Sequence, residues 1–227
     1  MIRVPANSAR SAPVTANPVR PAAPEDRARR PGVRQGRGAR TVVLLGIDGA
    51  GKTTAAAALV ATEREAGRPA ILLRNPSGRC WMARASARVG VEAPVRWVDR
   101  VETVVRTANV LVSLARARDR EGLVVMDRHL VCQLVLRRVR GLPPGRVLPW
   151  LAARLLRGDV VVVLDVPAET AQTRILARGQ DHESLEYLHA ARAAYLEFAR
   201  TRGWVVMDAI GAPEAVRARL IRLTGLG

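Results

Sequence analysis

The segment from Leu44 to Thr54 reads LLGIDGAGKTT and holds the single lysine, Lys52, of a chain with 37 lysines and arginines together. Four of its residues fit the spacing G-x-x-x-x-G-K-[ST]. Such glycines turn backbone N–H groups toward phosphate oxygens, the lysine reaches the β- and γ-phosphates, and the hydroxyl ligates Mg²⁺. The pattern predicts a site for a nucleoside triphosphate and Mg²⁺, formed by Gly46, Ile47, Asp48, Gly49, Ala50, Gly51, Lys52, Thr53 and Thr54.

The choice of lysine at position 52 is informative because arginine replaces lysine everywhere else in the chain. A planar guanidinium does not reproduce a compact ammonium on a flexible stem. We therefore predict that Lys52 is catalytic and contacts phosphate oxygens as a point charge.

Mg²⁺ also needs a carboxylate at the end of a neighbouring strand. Asp127 ends the run LVVMD and is followed at once by Arg128, whereas Asp165 ends VVVVLD just before Val166 and Pro167. An aspartate in the second setting often caps the next helix. Thr53 and Asp127 are thus the predicted metal ligands, with Asp165 as the alternative.

Five short, almost wholly apolar runs must position these residues: TVVLLGI, PAILLR, LVVMD, VVVVLDV and WVVMDA. Strands that are apolar at every position are typical of parallel sheets covered on both faces. Helical stretches lie between them, which predicts right-handed crossovers. The expected fold class is α/β: a P-loop NTPase three-layer sandwich, with a five-stranded parallel sheet and helices on both faces.

Two helices are predicted from apolar residues at helical spacing. One core-facing stripe consists of Val98, Val101, Val105, Ala108, Val112 and Ala115, and the other of Leu188, Ala191, Tyr195 and Phe198. GLPPGR at 141–146 predicts a loop between two further helices. Aromatic residues make up only 3% of the chain, so the core should be aliphatic.

Residues 1–40 differ from the rest in composition, with nine arginines, six prolines and two acidic residues. They lack any apolar period, which predicts a disordered basic tail before a single domain at 41–227. The alternative reading is a basic arm for nucleic acid or a targeting segment. Two cysteines, Cys80 and Cys132, and no long apolar run favour a cytoplasmic protein without a membrane segment.

The motifs GIDGAGKTT, DRH at 127–129 and LDVPAETAQTRILARG at 164–179, followed by a helix ending in AAYLEFA, resemble the thymidylate kinases. These are P-loop kinases that phosphorylate dTMP with MgATP in nucleotide biosynthesis, and the resemblance runs from about Thr41 to Thr224. It implies an ATP-dependent nucleoside monophosphate kinase. DRH and the acidic Asp48 inside the loop are more specific to this family than the loop itself.

The resemblance also implies roles for individual residues. Asp48 would hold the acceptor's sugar hydroxyl, Arg74 its phosphate, and Trp97 with Arg100 its base. Arg128 would lie beside the phosphates with Asp127, and Arg178, at the start of the mobile lid, would neutralise the transferring phosphoryl group. The predicted catalytic residues are Lys52, Asp127, Arg128 and Arg178, and the predicted substrate-binding residues are Asp48, Arg74, Trp97, Arg100 and Arg128.

Departures from the family pattern leave alternatives open. The sequence has RNPSG where the family has R-E-P-G-G, and it has Leu136 and Arg137 where the family has a Tyr-Gln pair. The segment QDHES makes the lid shorter than in the family. One alternative is a kinase for another nucleoside, nucleotide or small hydroxylated metabolite. Another is a nucleic-acid-binding P-loop NTPase, with the basic tail as its contact, and a homodimer is a further option. His182 and His189 are expected at the surface, and His129 near the site.

Overall fold

A computed structural model of the chain describes residues 40–75, 95–118, 120–179 and 183–226. Most of the predicted tail, Cys80 and His182 lie outside these residues. Arg40 is the first residue of the first strand.

The described residues form a five-stranded parallel sheet in the order β2-β3-β1-β4-β5. All five predicted strands are present, and the predicted fold class is confirmed. Consecutive residues of the central strands are buried, as in Val42 to Leu45, because helices cover both faces. The strands are β1 (Arg40–Leu45), β2 (Ala70–Arg74), β3 (Leu123–Asp127), β4 (Val160–Asp165) and β5 (Val205–Asp208).

Within the residues that the structure describes, the sheet is flanked by seven helices: α1 (Lys52–Glu65), α2 (Val95–Arg118), α3 (Val131–Val139), α4 (Val147–Leu155), α5 (Ala168–Leu176), α6 (Leu185–Arg202) and α7 (Pro213–Thr224). The GLPPGR segment joins α3 to α4, as predicted. The core is built mainly from valine, leucine and alanine, which agrees with the aliphatic composition. No helix in the described part of the chain is long and apolar enough to cross a membrane.

Helix α6 agrees with its predicted face. Leu188, Ala191 and Tyr195 are buried, and Phe198 packs against the core. The helix begins where the Ser184 hydroxyl accepts a hydrogen bond of 3.2 Å from the Tyr187 backbone N–H. It ends at Gly203, whose φ of 65° suits a helix C-cap.

The prediction of which face of α2 packs against the core was wrong. Val101 and Val112 are 43% and 47% exposed, and Ala108 and Ala115 are exposed as well. The buried ridge of this helix is instead largely polar: Asp99, Glu102, Arg106, Val110, Ser113 and Ala117.

This ridge stays buried because α3 supplies partners for its charges. Arg137 pairs with Asp99 at 2.7 Å, and Arg140 pairs with Glu102 at 2.8 Å. A buried charge is tolerated only when it is paired and hydrogen-bonded. The pairing therefore turns the apolar stripe of α2 toward solvent.

Candidate active site

The loop between β1 and α1 fits closely against neighbouring backbone. A Cβ atom on Gly46 would lie 2.5 Å from the Leu164 carbonyl oxygen, and one on Gly49 would lie 2.4 Å from the Ala171 carbonyl oxygen. Both glycines also have positive φ, 138° and 84°. The loop therefore needs glycine at these positions both for its conformation and for its approach to β4 and α5.

Lys52 is the first residue of α1 and is only 5% exposed. Its Nζ donates a hydrogen bond of 2.6 Å to the Ile47 carbonyl oxygen and lies 3.6 Å from an Asp48 carboxylate oxygen. Burial lowers the pKa of Lys52, although the Asp48 carboxylate opposes that shift. An anion bound in the loop would add a further negative charge next to this buried side chain and favour its charged form.

Thr53 and Asp127 form a pair that fits Mg²⁺. The Thr53 hydroxyl donates a hydrogen bond of 2.6 Å to Asp127 Oδ2. Asp127 is 5% exposed, and its Oδ1 has no hydrogen-bond partner among the described residues. Mg²⁺ prefers hard oxygen ligands, so a buried, unpartnered carboxylate oxygen beside a hydroxyl suits it.

The alternative metal ligand has another partner. Arg192 donates two hydrogen bonds to the Asp165 carboxylate, of 2.7 Å and 2.8 Å. Both oxygens of Asp165 are therefore already bonded to a cation. This geometry favours Asp127 as the metal ligand.

Arg128 directly follows β3 and forms an ion pair with Asp48 of the phosphate loop. Arg74 ends β2, lies in register with Asp127, and is exposed. The carboxyl ends of the parallel strands thus bring two of the predicted arginines to the edge of the sheet that carries the phosphate loop.

A cleft of about 360 Å³ lies on one side of the phosphate loop. The predicted Arg178 lines it, and its Nε donates a hydrogen bond of 3.0 Å to the Arg174 carbonyl oxygen. The other residues that line this cleft include Gly49, Ala50, Gly51, Thr54, Arg174, Ala209, Gly211 and Val216. Arg174 and the segment after β5 were not predicted from the sequence, although the carboxyl end of a strand in a parallel sheet is a general signal for ligand contacts.

A smaller cavity, of about 20 Å³, is lined by the first residues of the loop, Gly46 to Asp48. Its polar lining combines the predicted Asp48 and Arg128 with Arg106, Tyr187 and Tyr195, which the sequence analysis did not select as site residues. Burial raises the pKa of Tyr195, with a further contribution from Cys132, so its hydroxyl stays protonated at neutral pH.

Arg106 is 2% exposed, and its Nε donates a hydrogen bond of 3.1 Å to Gln133 Oε1. Its NH1 is buried without a hydrogen-bond partner among the described residues. A guanidinium group offers donors only, so this nitrogen suits a carbonyl or phosphate oxygen in the cavity.

Trp97 and Arg100, the predicted base-binding pair, do not line this cavity. Trp97 is 60% exposed, and the Arg100 guanidinium lies 5.5 Å from the centre of its ring. Arg106 lies six residues beyond Arg100, or about 9 Å along the helix axis. The structure therefore brings Arg106, and not this pair, to the smaller cavity.

The histidines take no part in a metal site within the described residues. His189 lies on the surface, 3.0 Å from Glu169. His129 is fully buried, and burial lowers its pKa to about 4. His129 is therefore neutral at physiological pH.

Comparisons with a family model and with individual relatives point to the same protein family. The family model described as thymidylate kinase matches residues 45–220. A thymidylate kinase of Xanthomonas oryzae pv. oryzae is 36% identical over 145 residues, which cover 61% of each chain.

Two further thymidylate kinases match over a longer range. That of Xanthomonas campestris pv. campestris is 31% identical over 77% of this chain and 78% of the relative. That of Thermomicrobium roseum is 33% identical over 77% of this chain and 89% of the relative. The matched part spans about 61% of the first relatives' length. The extent of the family match and the identity to these relatives show that the chain belongs to the thymidylate kinase family.

Proposed function

We propose that the chain, through a single domain at 41–227, transfers the γ-phosphoryl group of ATP to a nucleoside monophosphate, dTMP. The observation that carries this proposal is the position of two cavities along one loop. Gly49 to Gly51 line the larger cleft, and Gly46 to Asp48 line the smaller cavity. A donor bound in the cleft and an acceptor that enters from the side of the smaller cavity would meet at the loop, as in-line transfer requires. At about 20 Å³ that cavity must widen to admit a nucleotide.

On the donor side, the larger cleft would hold the nucleoside of ATP between Arg174 and the segment after β5. The loop N–H groups and Lys52 would bind the phosphates, since the start of α1 favours anions. Thr53 and Asp127 would hold Mg²⁺, which neutralises phosphate charge when it is bound. Arg178, at the rim of this cleft, would balance charge that develops on the transferring group.

On the acceptor side, Arg128 and the exposed Arg74 would bind the monophosphate, and Asp48 would accept a hydrogen bond from the sugar hydroxyl. The unpartnered nitrogen of Arg106 would donate to a carbonyl oxygen of the base. A donor at this point favours thymine over cytosine, which presents an amino group at the corresponding position. The proposed reaction belongs to cytoplasmic nucleotide biosynthesis.

Arg106→Met is expected to raise the acceptor KM about tenfold or more, because a hydrogen bond from a charged donor is worth about 1.5–3 kcal/mol. Methionine keeps most of the buried volume and removes every donor. The KM for ATP should change little, since Arg106 does not line the donor cleft. Steady-state kinetics with dTMP and ATP measure both constants.

Trp97→Ala is the control for this prediction and tests the sequence-based assignment of the base site. If the Trp97 ring stacked on the base, its removal would weaken acceptor binding by roughly 1–3 kcal/mol. We expect no such change, because this ring is 60% exposed outside the cavity. If the KM for dTMP rises in Trp97→Ala but stays at the wild-type value in Arg106→Met, the base site must instead be assigned to Trp97 and Arg100.

We also propose that the exposed stripe of α2 forms a homodimer interface. The stripe consists of Trp97, Val101, Val104, Ala108, Leu111 and Ala115, whose spacing alternates between four and three residues. That alternation keeps an apolar seam on one side of a helix, as in helix pairs packed with interlocking side chains. Burying it against a second copy would remove four large exposed apolar side chains of α2, those of Trp97, Val101, Val104 and Leu111, from water.

Val104→Glu is expected to convert the proposed dimer to a monomer, because Val104 is 67% exposed at the middle of the stripe. Val147→Glu is the matched control: this valine is 72% exposed but lies on α4. Sedimentation velocity at several concentrations measures the mass of each protein. A wild-type protein that sediments as a monomer at every concentration would contradict the proposal.

A further inference from the structure

Arg128 adopts an unusual backbone conformation. Its φ is 76°, and it is the one residue other than glycine with positive φ in the part of the chain that the structure describes. L-residues with large side chains rarely adopt this conformation, because the Cβ atom crowds the following carbonyl. Here it follows directly on β3 and accompanies the ion pair between Arg128 and Asp48. Something must stabilise this turn.

Asn75, the residue after β2, makes the contacts that could do so. Its side-chain Nδ2 donates a hydrogen bond of 2.8 Å to the carbonyl oxygen of Arg128. Its backbone N–H donates one of 3.1 Å to the carbonyl oxygen of Asp127. Asn75 thus binds two consecutive carbonyl groups at the point where the backbone turns.

The amide of Asn75 is itself fixed from α2. The Ser113 hydroxyl donates a hydrogen bond of 2.8 Å to Asn75 Oδ1. Asn75 is 1% exposed and Ser113 is 6% exposed, so water does not compete for these bonds. Because the hydroxyl engages Oδ1, the amide presents Nδ2 to Arg128.

We infer that Asn75, oriented by Ser113, is a positioning residue that holds the backbone of Arg128 in its left-handed conformation and so directs its guanidinium to the acceptor side of the phosphate loop. This inference rests on the proposed function only for the role of Arg128 in binding the acceptor. The three hydrogen bonds and the φ angle are independent of it. Asparagine serves here because one small side chain can both donate to a carbonyl and accept from a hydroxyl.

Asn75→Asp is the most informative variant. One carboxyl oxygen can still accept from Ser113, but the other faces the Arg128 carbonyl and can donate only when it is protonated. The charged residues next to it along the chain and at the contact are Arg74, Asp127 and Arg128. We expect the acceptor KM of the variant to lie about tenfold or more above that of wild type, with the KM for ATP within about twofold of its wild-type value.

Asn75→Ala should raise the acceptor KM at all pH values, with the KM for ATP within about twofold of wild type, since a buried hydrogen bond near Arg128 is lost. Thr107→Ala is the matched control, because the Thr107 hydroxyl also belongs to α2 but donates to the Thr103 carbonyl oxygen of its own helix. Its acceptor KM should equal that of wild type.

A purely structural role predicts a different outcome: a lowered melting temperature in Asn75→Asp, with the KM for ATP raised as much as the acceptor KM. That result, or an unchanged acceptor KM in Asn75→Ala, would overturn the inference. If wild type fails to phosphorylate any nucleotide, the proposed function is wrong and a crystal structure of Asn75→Ala decides the inference. It predicts that Arg128 leaves the left-handed region or loses its contact with Asp48, and both features intact would overturn it.

Discussion

Lys52→Arg is expected to abolish phosphoryl transfer almost as completely as Lys52→Ala, with a loss in kcat on the order of a hundredfold or more. The substitution keeps the positive charge but changes the shape of the side chain. The ammonium lies in a buried position, 2.6 Å from the Ile47 carbonyl oxygen, where a planar guanidinium has too little room. A guanidinium that cannot take the position of the compact ammonium cannot stabilise the charge that develops on the phosphates during transfer.

The test measures kcat at saturating MgATP and dTMP, together with the melting temperature of each variant. Arg222→Lys is the control, because it makes the reverse exchange at an exposed position of α7. It should leave kcat unchanged. Full activity in Lys52→Arg would show that the site needs only a positive charge at this position.

Asp127→Asn is expected to lower kcat about a hundredfold or more and to raise the Mg²⁺ concentration needed for half-maximal activity. Asparagine has nearly the same shape, and its carbonyl oxygen can still accept the bond from Thr53. The variant should therefore fold normally while it lacks the charge that holds the metal. A titration of activity with Mg²⁺ measures the effect.

Asp165→Asn is the matched control, since Asp165 was the rival metal ligand in the sequence. It should lower the free energy of unfolding, because Arg192 loses its charged partner. Its Mg²⁺ requirement should stay at the wild-type value. An increased Mg²⁺ requirement in Asp165→Asn alone would assign the metal to Asp165 instead.

The sheet and the phosphate loop were predictable because their signals are local. A strand buried on both faces is apolar at every position, and the loop's glycines, lysine and hydroxyl act through their spacing along the chain. The choice between Asp127 and Asp165 was open in the sequence, because the partner that occupies Asp165 lies 27 residues away, on α6.

The rotation of α2 could not be read from its own sequence. Its valines suggested a core face, but the helix buries Asp99 and Glu102 because Arg137 of α3, and Arg140 just after that helix, pair with them. Arg106 was missed for the same reason. It belongs to the polar ridge, and in an arginine-rich chain nothing local distinguishes it from arginines at the surface.

The most direct test of the central claim is the formation of ADP from MgATP by the wild-type chain across a panel of acceptors. The panel contains dTMP, dUMP, dCMP, dGMP and thymidine. Because Arg106 would donate to the base, we expect dTMP to have the highest kcat/KM and dCMP to be a poor acceptor. Because Arg74 and Arg128 would bind the acceptor phosphate, thymidine, which lacks that phosphate, should be nearly inactive. ADP formation that is independent of dTMP, or that is faster with another acceptor, would contradict the account.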